Sequence, residues 1–133
     1  MYPFRTKVLN SAFLSHREKN YYSSIPLFLT QADGICFDLT DKRVYRTNKG
    51  VPEISKLIRE LPEKDILKIL LQPLKIQGLI TATKDQRHSF SGNINRHEIL
   101  HGISVDYGTR INSCKAISWL VYISDVLGGT IDE

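Results

Sequence analysis

The strongest constraint on this sequence is the period of its apolar residues. From Tyr21 through Ile25, Leu29, Ala32, Cys36 and Leu39, apolar side chains recur every three or four positions, the spacing that gathers them on one stripe of an α-helix. Phe4, Val8, Ala12 and Phe13 form a second stripe over residues 4 to 17, with Arg5, Lys7, Asn10 and Ser11 on the other faces. Period-two alternation, the mark of a half-buried strand, is missing apart from Val44-Tyr45, and there is no internal repeat or low-complexity tract. The pattern predicts an all-α fold, an antiparallel helical bundle of about five to six helices. A chain of 133 residues suffices for one hydrophobic core, so a single domain over 1–133 is expected.

Prolines and glycines punctuate the pattern. The stripe from Tyr21 to Leu39 keeps its register through Pro26, where a kink is expected, and Gly34. Residues 40 to 50, with Lys42, Arg43, Arg46 and Lys49, suit an exposed connection. Pro52 and Pro62 each fit the first turn of a helix, followed by Ile54, Leu57, Ile58 and Leu61, then Ile66, Ile69 and Leu70, which suits two short helices or one broken one. Pro73 bends or ends the second, and a polar loop follows at Thr83–Gly92. Asn93 or Asn95 then caps a short helix that ends at Gly102. After the turn Asp106-Tyr107-Gly108-Thr109 comes a last helix, with Ile111, Cys114, Ile117, Val121 and Ser124 on one face and a stop at Gly128-Gly129.

Composition narrows the class of function. The N-terminus lacks the order of a signal peptide, and the longest apolar stretch, Ile66 to Ile80, is broken by Lys68 and Lys75, so a cytoplasmic chain with no membrane association is expected. Cys36 and Cys114 lie inside apolar helical patterns without zinc-ribbon or disulfide spacing, which predicts reduced, buried thiols. A net charge of +4 and a pI near 9.1 suit an anionic partner such as RNA.

The chemistry concentrates in Asn95-Arg96-His97-Glu98-Ile99-Leu100-His101-Gly102. Among the four histidines, only His101 has an arginine four to six residues upstream. On a helix this spacing sets Arg96 and His101 about 140° apart, so both reach one cleft only at the helix end or along its flank, and a helix capped by Asn95 and ended at Gly102 is short enough for that. A guanidinium offers a planar fork of donors to phosphate oxygens, and an imidazole exchanges protons near neutral pH. Together they suit phosphodiester cleavage with no metal or other cofactor.

The stretch NRHEILHG, followed by DYGT and NSCKAISWLVYI, resembles the C-terminal part of bacterial HEPN-type proteins, whose motif is an arginine, a polar residue, three variable residues and a histidine. The upstream YYSSIPLFLTQADGI resembles a helix early in that family's bundle. The resemblance implies a four- to five-helix bundle and a metal-independent ribonuclease of a toxin-antitoxin, abortive-infection or other antiviral system, with its cleft formed across a twofold dimer and an antitoxin or other defence protein as a possible partner. Carried over by position, Arg96 matches the motif arginine, His97 the polar residue and His101 the motif histidine. Some toxins of this type carry a tyrosine two residues after the histidine. That place is Ile103 here and the nearest tyrosine is Tyr107, so regulation through that tyrosine is not implied.

A rival motif overlaps the first. His97-Glu98-Ile99-Leu100-His101 fits the H-E-x-x-H pattern, in which two histidines one turn apart bind zinc and the glutamate activates water. An asparagine-rich turn a few residues earlier leaves no room for a long zincin helix, and Asp106 and Asp125 stand in no zincin spacing as third ligand. That reading also leaves Arg96 without a role. Around the motif, Asn95, Tyr107, Arg110 and Lys115 are candidate substrate contacts: Tyr107 as a stacking ring or a packing residue, Arg110 and Lys115 as phosphate holders or a solvated face, Asn95 as ligand or helix cap. Trp119 and Tyr122 read as core or dimer interface, and His16 and His88 receive no role. A HEPN module that binds RNA, a nucleotide or a partner protein without cutting is the alternative to a nuclease.

Overall fold

The computed structural model describes residues 2–75, 78–84, 87–89 and 92–131. Helices α1 (Thr6–Arg17), entered through a 3-10 turn at Pro3–Arg5, and α2 (Tyr21–Thr40) are joined by three residues and pack along each other, with Phe13 meeting Phe28 edge to face at 4.9 Å. Of the stripe read from the sequence, Ile25, Leu29, Ala32 and Cys36 of α2 are essentially inaccessible and Tyr21 and Leu39 are partly buried, while Phe28 and Ile35 join the core beside them. Helix α2 is the central element, covered by α1 and by α6 (Arg110–Tyr122).

Pro26 lies within α2 without ending it. A proline has no N–H to give the carbonyl four residues earlier, here that of Tyr22. The Tyr107 hydroxyl donates to that carbonyl at 3.1 Å, and its ring meets Tyr22 edge-on at 5.0 Å. Gly108 makes the approach possible, since a Cβ there would stand 2.4 Å from the Tyr22 ring.

Residues 40 to 50 are more ordered than the exposed connection expected. Val44 and Tyr45 are buried, and a hairpin pairs β1 (Thr47–Asn48) with β2 (Val51–Pro52), antiparallel. Lys49 and Gly50, at φ 51° and 79°, supply the two left-handed positions that a two-residue turn needs. Of the basic side chains Arg43 is tied down, its Nη1 donating to Asp33 Oδ2 at 3.2 Å and its guanidinium lying 4.2 Å over Phe37, while Arg46 and Lys49 are exposed as expected.

Pro52 therefore sits in a strand, where its missing donor is harmless at an edge, and α3 (Ser55–Arg59) begins later. Pro62 likewise precedes α4 (Ile66–Leu70), which is capped by Asp65 accepting from the Leu67 N–H at 2.9 Å. The helix ends before Pro73, as expected.

The last helix departs from expectation in two ways. Gly128-Gly129 does not stop it: α6 runs through a π-type turn at Ile123–Leu127 into α7 (Gly128–Ile131), and Gly128 keeps helical angles. Its core face is also not the one predicted. Ile111 is 69% and Val121 45% exposed, and Cys114 is exposed, whereas Asn112, Ser113, Ala116, Leu120 and Ile123 are buried.

The buried polar members explain the error. Ser113 Oγ shares hydrogen bonds with Ser24 Oγ at 2.7 Å and His16 Nδ1 at 2.8 Å, while Asn112 Nδ2 donates to Asn93 Oδ1 at 2.7 Å and to the Tyr107 carbonyl at 2.9 Å. Polar groups so paired are buried at little cost, which a count of apolar residues does not register. Of the two thiols only Cys36 is buried, and burial pushes its pKa up to about 12. The described residues are mostly helical, with this single hairpin, and none of their helices is long and apolar enough to cross a membrane.

Candidate active site

Helix α5 (Arg96–Leu100) has little more than one turn, too short to hold its shape alone. Both ends are fixed by the residues the sequence singles out. Asn95 is 1% exposed; its Oδ1 accepts from the Glu98 N–H at 3.1 Å, and its Nδ2 donates to the carbonyls of Leu79 at 2.7 Å and Ala82 at 3.0 Å. The Arg96 N–H adds a bond to the Ile80 carbonyl at 3.0 Å. At the other end Gly102 takes φ 72°, its N–H bonding to the Ile99 carbonyl at 3.3 Å and that of Ile103 to the Glu98 carbonyl at 2.8 Å. This is the left-handed closure that glycine favours. With its amide fully committed, Asn95 positions the helix and offers no free group to a substrate.

The one-turn spacing of His97 and His101 puts their ring centroids 4.5 Å apart at a tilt of 47°. Both line a cleft of about 470 Å³ together with Lys84, Arg87, Glu98 and Ile103. Arg87 reaches across it, donating from Nε to Glu98 Oε1 and from Nη2 to the Gly92 carbonyl. Partial burial lowers the pKa of His97 below the usual histidine value, and the positive charges of His101, Arg96 and Lys84 push the same way against the opposing Glu98. His97 is thus predominantly neutral at pH 7, with an imidazole nitrogen free to accept a proton.

Arg96 lies elsewhere. Its guanidinium stands 4.7 Å over the Tyr45 ring and lines no part of the cleft, so within one chain the 140° separation is kept and Arg96 and His101 face different sides of α5. Among the described residues Arg96 has no carboxylate partner. Tyr107 is held against α2 through Tyr22. Arg110 and Lys115 lie on a second cavity, beside Trp119 and Tyr122, and not on the histidine cleft. His16 takes part in the buried serine network.

The cleft residues that sequence reasoning missed are Lys84, Arg87 and Glu98. Lys84 and Arg87 are cations of the polar loop at 83–92, and Glu98 appeared only as the glutamate of the zinc motif. As to that motif, the two imidazoles stand close enough to share an ion, but the described residues gather no group of three potential ligands and the Glu98 carboxylate is engaged by Arg87. No family model, curated protein or solved structure matches the chain.

Proposed function

We propose that this chain is a HEPN-type, metal-independent endoribonuclease of a toxin-antitoxin or antiviral defence system, built as an antiparallel helical bundle. The observation that carries the proposal is the pairing of His97 and His101 in one cationic cleft, at a distance that a single phosphodiester can bridge. His97, neutral at pH 7, takes the proton of the RNA 2′-hydroxyl as its oxygen attacks the adjacent phosphorus. The bond from phosphorus to the 5′-oxygen breaks, and His101 delivers a proton to that leaving oxygen. The products are a 2′,3′-cyclic phosphate and a 5′-hydroxyl. Each proton transfer contributes about 10²–10⁴-fold in rate. Lys84 holds the phosphate, adding charge stabilisation as it builds on the equatorial oxygens.

Arg96 enters this scheme through a twofold dimer, in which α5 of one protomer sets its Arg96 beside the histidines of the other. Its position away from the cleft of its own chain also supports a second reading, a module that binds RNA, a nucleotide or a partner protein and cuts nothing. One experiment separates the readings. Mixed RNA is incubated with the protein in EDTA, beside His97→Ala, His101→Ala and Arg96→Ala variants. Cleavage that survives chelation, leaves cyclic phosphate ends and disappears in all three variants is the expected result. Cleavage untouched by the histidine variants sinks the proposal, intact RNA retained on the protein favours the binding module, and activity restored only by zinc revives the metal reading.

A further inference from the structure

A larger cavity, of about 820 Å³, lies along the outer face of α6. Its walls are apolar: Pro73, Leu79, Ile80, Ile94 and Ile111 line it with the rings of Trp119 and Tyr122. The polar tips of both rings are satisfied within the chain, Trp119 Nε1 donating to the Tyr45 hydroxyl at 3.1 Å and Tyr122 Oη to the Leu70 carbonyl at 2.7 Å. The charged residues lining it are Arg110 and Lys115, both exposed. Among the described residues neither has an acidic partner.

The cations sit in the first half of α6, and the aromatic pair closes the second. From Arg110 to Tyr122 the helix rises about 18 Å, so the groove is charged towards one end and greasy towards the other. That polarity matches a single-chain amphiphile laid head to tail. It does not match a second copy of the chain, because a twofold interface centred here pairs the groove's lining with itself, and that lining includes no carboxylate for Arg110 and Lys115. The volume lies within the range of small-molecule sites, roughly 300–1,000 Å³. An arginine fork suits a carboxylate head.

We propose that this cavity binds a long-chain carboxylate, with the head on Arg110 and Lys115 and the alkyl chain against Ile111, Trp119 and Tyr122. Trp119 is the chain's only tryptophan, so its emission reports occupancy directly. The test titrates the full chain with myristate, 1-tetradecanol and tetradecyltrimethylammonium, each below its aggregation concentration, with calorimetry for stoichiometry. Myristate is expected to bind one to one, and the neutral and cationic chains at least tenfold more weakly. The double variant Arg110→Glu/Lys115→Glu should lose at least tenfold in myristate affinity, about 1.4 kcal/mol. Ser118→Phe, at an exposed lining position, should block the groove and remove binding while circular dichroism and thermal unfolding stay unchanged. Equal affinity for the three amphiphiles, or charge reversal without effect, overturns the proposal. So does a ligand-free, concentration-dependent burial of Trp119 that Ser118→Phe abolishes, which would identify a second copy as the occupant.

Discussion

The guanidinium of Arg96 lies 4.7 Å over the ring of Tyr45, and Tyr45 is itself fixed in the core by donating to the Leu29 carbonyl at 2.8 Å and accepting from Trp119 Nε1 at 3.1 Å. Burial raises the Tyr45 pKa, so the phenol stays neutral and the ring offers its face to the cation. A partly exposed cation on a ring contributes about 0.5–1 kcal/mol. Removing the hydroxyl leaves a buried indole N–H without its acceptor and costs about 1–3 kcal/mol. Tyr45→Phe should therefore lower the urea midpoint clearly while leaving RNA cleavage nearly intact. Arg96→Ala should do the reverse, with a small loss of stability and a large loss of turnover. A Tyr45→Phe protein that is inactive yet as stable as the parent would show that the hydroxyl, and not the ring, orients Arg96.

Titration of the histidine pair gives a second prediction. The pKa of His97 is lowered by partial burial first and by the His101 charge next. Since the unfolded chain binds a proton at the ordinary histidine value, near 6.5, and folded His97 binds it only at lower pH, this group's contribution is complete above that value and is lost as pH falls through it towards the folded pKa. On its acid side cleavage should likewise persist down to the ordinary histidine range and fall only below it, as His97 takes up a proton. In His101→Ala one of the depressing charges is gone. The His97 imidazole, followed by NMR across pH 4–8, should then titrate higher than in the parent chain. A midpoint unchanged between the two proteins would show that the rings do not sense each other.

Much of the frame was legible in the sequence because local rules fixed it. The stripe of α2 follows from helical period alone, and Asn95 and Gly102 frame α5 through cap chemistry that acts within five residues. What escaped was fixed by contacts distant in sequence. Ser113 is buried because Ser24 and His16, 89 and 97 residues away, complete its hydrogen bonds, so the face of α6 carrying Ile111 and Val121 was mistaken for the core. Lys84 and Arg87 join the cleft because Asn95 pulls the Leu79–Ala82 segment against α5. The 140° angle between Arg96 and His101 follows from helix geometry, but so short a helix was expected to bring both to one cleft; the Tyr45 ring that holds Arg96 on the other side is distant in sequence and gave no signal.

Pro26 and Tyr107 form a pair whose coupling is measurable. Because Pro26 cannot donate to the Tyr22 carbonyl, the Tyr107 hydroxyl does so. In the parent chain Tyr107→Phe should cost about 0.5–1.5 kcal/mol, the usual net value of one hydrogen bond. In a Pro26→Ala background the restored backbone N–H competes for the same carbonyl, and the cost of Tyr107→Phe should fall by at least half. Chemical denaturation of the four proteins of this double-mutant cycle yields the coupling energy. Strict additivity would mean that the hydroxyl does not replace the missing N–H.

The position of Arg96 makes the dimer of the proposed mechanism testable without a structure of it. If each cleft takes His97 and His101 from one protomer and Arg96 from the other, Arg96→Ala and His101→Ala homodimers are both inactive. A heterodimer of the two variants contains one cleft lacking both groups and one cleft that is complete. Equal mixing, with exchange of protomers through mild denaturation, should then regain roughly a quarter of parent activity, since half the dimers are mixed and each carries one working site of two. The control is His97→Ala mixed with His101→Ala: both changes lie on the same side of the shared cleft, so every cleft in that mixture lacks one imidazole and none should regain activity. Recovery in neither mixture would place Arg96 and the histidines in the same protomer's site and require Arg96 to leave Tyr45 when RNA binds, whereas recovery in the control would mean that each cleft takes its two histidines from different protomers.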